Sequence, residues 1–124
     1  KGVAMFQQDS INVPVLGIVE NMAYFTPEEL PNNKYYIFGK EGAKHLSEDL
    51  NVPFLGEIPL VQSIREAGDV GRPAALQTAT AIETAFEELT KNVVQEVVDR
   101  NKSLPPTEAI KITTMAGCSA VKKK

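Results

Sequence analysis

Residues 12–22, Asn-Val-Pro-Val-Leu-Gly-Ile-Val-Glu-Asn-Met, constrain what this chain can fold into more than any other stretch. Val13, Val15, Leu16, Ile18 and Val19 are bulky aliphatics, and the run stops abruptly at Glu20 and Asn21. It is too short for an ordinary helix and is opened by a proline, so it predicts a strand over 13–19 that is buried on both faces. Strands of that kind lie inside parallel sheets covered by helices. Ligands of such sheets gather at the carboxyl ends of the strands, and here that end carries Glu20, Asn21 and Met22.

The start of this segment recurs. Asn12-Val13-Pro14-Val15-Leu16-Gly17 matches Asn51-Val52-Pro53-Phe54-Leu55-Gly56 at five of six positions. Proline is tolerated at the first residue of a strand, where no ladder donor is needed. The pair therefore predicts two parallel strands joined by a crossover, the same structural role played twice. Pro59 is expected to end the second strand.

Between them, residues 23–34 read as a loop holding Pro27 and Pro31, with Glu28 and Glu29 in a single helical turn. Residues 35–38, Tyr-Tyr-Ile-Phe, predict a short strand. A helix is expected from about Gly42 to Leu50, with Ala43, Leu46 and Leu50 on its apolar side and Asn51 as its C-terminal cap residue. Residues 1–8 read as the end of a helix, and 63–67 as a short one. Over 79–101, Ile82, Ala85, Phe86, Leu89, Val93 and Val97 recur at three- and four-residue spacing. That is the stripe of a helix about 33 Å long. Pro105-Pro106 stops it, and the alternation Ile110, Lys111, Ile112, Thr113 predicts a strand over 108–115.

The composition narrows the function classes. At 124 residues the chain suits one domain. Thirteen basic against sixteen acidic residues, net charge −3, give no electrostatic reason to expect nucleic acid or an acidic membrane. The basic cluster Lys122-Lys123-Lys124 reads as a solvated tail. No run approaches the ~20 apolar residues of a membrane span. The one cysteine, Cys118, cannot form an internal disulfide, which predicts a reducing, cytoplasmic setting. The opening Lys1-Gly2-Val3-Ala4 reads as the middle of a longer protein.

Three motifs then fall in order. They are Gly17-Ile18-Val19-Glu20-Asn21-Met22, Tyr36-Ile37-Phe38-Gly39, and Leu55-Gly56-Glu57-Ile58-Pro59-Leu60 with Ser63-Ile64-Arg65-Glu66-Ala67-Gly68-Asp69. Over residues 1–101 the chain resembles the C-terminal half of the Mrp/ApbC family, P-loop ATPases related to MinD and ParA that carry and deliver iron–sulfur clusters. The resemblance implies an α/β fold, the C-terminal part of a doubly wound, mostly parallel sheet. Residues 102–124 form a tail outside the shared core.

The family's phosphate-cradling motif and Mg2+ ligands precede this region. No Gly-x-x-x-x-Gly-Lys-[Ser/Thr] pattern occurs here, so this piece alone is not expected to hydrolyse ATP. By resemblance, Asn21 reads the base of ATP at the end of its strand, and Pro59 and Leu60 form a turn closing over it. Arg65 and Asp69 belong to the turn's support and not to the ligand. The resemblance further implies a homodimer and apo iron–sulfur proteins as recipients of a cluster.

One departure stands out. Family members commonly carry a Cys-x-x-Cys pair just after the Asn-Met-x-Tyr-Phe segment, whereas residues 25–31 here are Phe-Thr-Pro-Glu-Glu-Leu-Pro. Iron–sulfur clusters need soft thiolates, so the resemblance does not carry cluster ligation onto this stretch. Cys118 alone leaves a cluster short of ligands. A ParA/MinD-like ATPase or scaffold without a cluster is therefore a rival reading, and an interaction module without a ligand a third. His45 has no second ligand at metal spacing and reads as a surface histidine. Glu20 has no partner acid or nucleophile. The aromatic side chains of Tyr35, Tyr36 and Phe38 read as packing.

Overall fold

The structure, a computed structural model, describes residues 1–27 and 29–106. In chain order these form helix α1 (Gly2–Phe6), strand β1 (Ile18–Phe25), helix α2 (Gly42–Leu50), strand β2 (Phe54–Leu60), helix α3 (Gln62–Asp69), a 3-10 turn at Ala74–Leu76 and helix α4 (Ala81–Ser103). The two strands pair in parallel with α2 between them in the chain. The repeated Asn-Val-Pro-x-Leu-Gly segments therefore do lead into two parallel strands joined by a crossover.

Their boundaries differ from expectation. β1 does not occupy 13–19. It begins at Ile18, whose N–H donates to the Pro53 carbonyl at 2.8 Å, and runs through the polar residues to Phe25. The apolar run marks packing, while a strand exists only where a neighbour supplies ladder partners. Residues before Ile18 pack instead. A Cβ added at Gly17 would overlap Leu55, both of whose Cδ atoms would be 2.7 Å away.

Nor does Pro59 end β2, which spans Phe54–Leu60 with Pro59 buried inside it. The ladder accommodates it by going out of register. Asn21 pairs with Ile58 and Phe25 with Leu60, so three residues of β1 stand against Pro59 alone. Proline has no N–H for the ladder and is found at bulges and edges. Met22, at the start of the bulge, is held at φ 57°. That left-handed conformation costs a non-glycine residue roughly 1 kcal/mol.

A second shift lies between Ile18 and Val19, where Leu55 has no Cα partner in β1. The Leu55 carbonyl is met instead by the Asn92 side-chain amide of α4, which donates at 2.8 Å. Gly56, the next residue, sits at φ 147° with α4 close above it. A Cβ there would lie 4.0 Å from the Leu89 Cα and Cβ.

The core lies where α4 covers β2. Its buried apolar residues are Ala23, Leu55, Ile58, Ala67 and Ile82, and no large side chain is fully enclosed among the described residues. The expected stripe of α4 does face inward at Ile82, Ala85, Phe86, Leu89 and Val93, but Val97 is exposed. Twenty-three helical residues span roughly 34 Å, whereas the seven of β2 span roughly 23 Å. The last turns of α4 therefore overhang the sheet. At its start Thr80 accepts from the Glu83 N–H (3.1 Å), and the Glu83 carboxylate accepts from the Ala79 N–H (2.6 Å). The spacing Thr80-x-x-Glu83 is that of a capping box, with the Glu83 carboxylate reaching the N–H one residue before the cap.

α2 ends, as expected, at Asn51 in the left-handed conformation (φ 49°, ψ 47°). Its buried side is not the expected one, because Leu46 and Leu50 are exposed and Ser47 is buried. The Ser47 hydroxyl donates to the Lys44 carbonyl at 2.6 Å, which satisfies it inside the helix. The expected strand at 35–38 is reduced to one antiparallel bridge, Phe25 with Tyr35. Ile37 and Phe38 have no strand beside them and are 60% and 70% exposed. The expected turn at Glu28-Glu29 rests on Glu28, and the expected strand over 108–115 and most of the tail lie outside the described residues.

Candidate functional site

Asn21, Pro59 and Leu60 come together because the strands are parallel and adjacent. Asn21 is the Cα partner of Ile58, one residue before Pro59. Leu60 is the Cα partner of Phe25, on the far side of the bulge. Asn21 is not at the end of its strand as expected. It is at the end of the regular ladder, with the bulge immediately after it. Its side chain is exposed, and the amide has no hydrogen-bond partner among the described residues. One acceptor and two donors are thus left open. Pro59 and Leu60 do not form a turn. They are the last two residues of β2, buried and half-buried.

Beside this pair lies a cluster that the sequence did not reveal. Lys34 closes the loop after β1 and reaches both strands. Its ammonium is 3.3 Å from Glu57 Oε1 on β2 and 3.8 Å from the centroid of the Tyr24 ring on β1. Tyr24 meets Tyr36 edge to face at 6.4 Å, and Lys40 stands 5.4 Å over the Tyr36 ring. Burial works against the Lys34 ammonium, but Tyr24 and the Glu57 carboxylate outweigh it and hold its pKa above the ordinary lysine value. Glu57 is 23 residues from Lys34 in the chain, and no local pattern foretells a contact at that distance.

The other residues considered from sequence have local roles. The Glu20 carboxylate accepts from the Gly42 N–H at 3.1 Å, at the first residue of α2. This satisfies a helix-end donor. Arg65 pairs with Asp69 at 2.6 Å and Glu66 at 3.5 Å along α3, not with Pro59 or Leu60. His45 is exposed on α2, and no group of three or more His, Cys, Asp or Glu side chains could hold a metal among the described residues. An iron–sulfur cluster does not fit these residues, since none of them supplies a thiolate and Cys118 lies outside them. A groove of about 820 Å³ between α3 and the turn at Ala74–Leu76 is lined by Ser63, Ala67, Val70, Arg72, Leu76 and Gln77. Asn21, Pro59 and Leu60 do not line it.

The fold, helices with parallel strands, is that of part of a P-loop NTPase domain. A solved nucleotide-binding protein from Archaeoglobus fulgidus, in complex with ADP, aligns with a TM-score of 0.50 and 34% identity, covering 57% of this chain and 28% of that one. Residues 1–97 match the family described as ParA, NUBPL iron-transfer P-loop NTPase, and the chain belongs to that family. An iron-sulfur cluster carrier protein of Synechocystis sp. is 44% identical over 78% of this chain and 27% of its own length. The iron-sulfur cluster transfer protein NUBPL of Mus musculus is 40% identical over 85% of this chain and 31% of its own. The chain thus spans a quarter to a third of the length of these relatives. The resemblance to the iron–sulfur carriers read from its motifs is what these matches show. No helix among the described residues is long and apolar enough to cross a membrane.

Proposed function

We propose that this chain supplies the base-proximal end of an ATP site, and part of a homodimer surface, in an iron–sulfur cluster carrier of the cytoplasm that delivers its cargo to apo iron–sulfur proteins. The observation that carries the reading is the open amide of Asn21, at the end of the regular ladder of β1, beside Pro59 and Leu60 at the carboxyl end of β2. An amide there offers a donor and an acceptor to the edge of adenine, which presents one of each. Leu60 adds apolar surface, and phosphate and Mg2+ contacts belong to the rest of the ATPase domain. The exposed aromatic run at Tyr36 and Phe38, with Ile37 between, supports the dimer surface.

In the full-length protein, Asn21→Ala should weaken ATP binding by about 1–3 kcal/mol through unpaired polar groups, which is tenfold for every ~1.4 kcal/mol. Titration with a fluorescent ATP analogue checks this, and unchanged affinity refutes the base contact.

A second reading is favoured by one observation, the absence of thiols from 25–31. It makes the protein a MinD/ParA-like ATPase or scaffold without a cluster. Anaerobic reconstitution of the full-length protein with iron and sulfide, followed by transfer to an apo-ferredoxin, separates the two. Visible absorbance that moves to the acceptor supports the carrier, and a colourless protein supports the scaffold.

A further inference from the structure

The ladder between β1 and β2 is interrupted at the place where the base site is proposed. Asn21 pairs with Ile58 before the interruption and Phe25 pairs with Leu60 after it. Between them Pro59 has no N–H to give, and Met22 is in the left-handed conformation. The pairing loses its regular step across residues 22–24, and a side chain adds a link between the strands there. Lys34 holds Tyr24, inside the bulge, by its ring face at 3.8 Å, and Glu57, on β2, at 3.3 Å. Its own backbone is fixed by the next residue. Tyr35 donates to the Phe25 carbonyl at 2.8 Å and accepts from the Phe25 N–H at 2.9 Å. The clamp is thus anchored to the far side of the bulge and reaches back over it.

We infer that Lys34 is a positioning residue for the base site. Acting through Tyr24 and Glu57, it sets the bulge of β1 against residues 57–60 of β2 and so fixes where the Asn21 amide stands relative to Pro59 and Leu60. The inference rests on the proposed base contact of Asn21. Lys34 works on both strands at once. A loosened clamp lets the amide shift against the apolar wall of the site, and discrimination between bases suffers.

The readout that separates positioning from mere stability is base selectivity. Loss of folded protein lowers the affinities for ATP and GTP alike and leaves their ratio unchanged, whereas misplacing the amide lowers the ratio. The experiment measures ATP and GTP binding to the full-length protein carrying Lys34→Met, Lys34→Arg, Glu57→Gln or Asn21→Ala, with thermal melting as a folding control. Lys34→Met keeps the stem and removes the charge. It should lower the ATP-to-GTP ratio by roughly two- to tenfold, as expected for an exposed ion pair together with a cation–π contact. Glu57→Gln should move the ratio the same way, and Lys34→Arg should restore most of it. If Asn21→Ala loses the ratio while Lys34→Met keeps it, Lys34 does not position the site. If Asn21→Ala also keeps it, the base contact itself is wrong and the role of Lys34 falls with it.

Discussion

Gly17 and Leu55 show how single residues set the geometry at the start of the ladder. Leu55 is buried and without a Cα partner, and Gly17 leaves room for its side chain. Gly17→Ala forces a methyl group into that space. Overpacking of this kind should destabilise the protein by about 1–3 kcal/mol, read as a lowered midpoint of thermal unfolding, and an unchanged midpoint would show that Leu55 can move aside.

Lys34 responds to pH in a defined direction. Because its folded pKa is raised, the clamp's contribution is fully present below the unfolded lysine value of about 10.4 and is lost only as pH rises through the higher folded value. Base selectivity should therefore not change through Lys34 anywhere near neutrality. At this scale the sequence was least legible. Asn21, Pro59 and Leu60 were named by family resemblance, whereas the Lys34 cluster was not foreseen because its partners Tyr24 and Glu57 become neighbours only when the two strands pair.

Elements were more legible than their edges. The five-of-six match between the two Asn-Val-Pro-x-Leu-Gly segments foretold the parallel pair, and the stripe from Ile82 to Val93 foretold α4. Both β1 and β2 lie further along the chain than expected, since hydrophobic runs report packing while hydrogen-bond partners set strand limits. The aromatic stretch 35–38 has strand composition but a partner only at Tyr35. At the overhanging end of α4 the Asp99 carboxylate accepts from the Gln95 amide at 2.6 Å and from Lys102 at 2.9 Å. The Gln95 bond first, then Lys102, hold its pKa below the ordinary carboxylate range. A lowered pKa means that the stabilisation is present above the unfolded aspartate value of about 3.9 and fades as pH falls through the lower folded value. Carboxyl carbon NMR should place the Asp99 midpoint below that of exposed aspartates, and Gln95→Ala should return it upward. An ordinary midpoint in the parent chain would remove the bond from solution.

The whole molecule has a thin core. Five buried apolar side chains among the described residues, with Val94, Val98, Ile37 and Phe38 among the many left exposed, leave little margin over the conformational entropy of folding. The 124-residue chain by itself should melt broadly and bind a hydrophobic dye, and a sharp transition without dye binding would contradict this.

Among the described residues the sheet has two strands, each of them an edge, and exposed edges invite indiscriminate pairing with other chains. The regular ladder here is brief, interrupted by Leu55 at one end and by Met22 and Pro59 at the other. A flat strand from a stranger cannot lie flush along such a border, because the bulges twist it and the proline withholds a donor. The irregularity that shapes the proposed base site is thereby also a safeguard against fibrillar self-assembly.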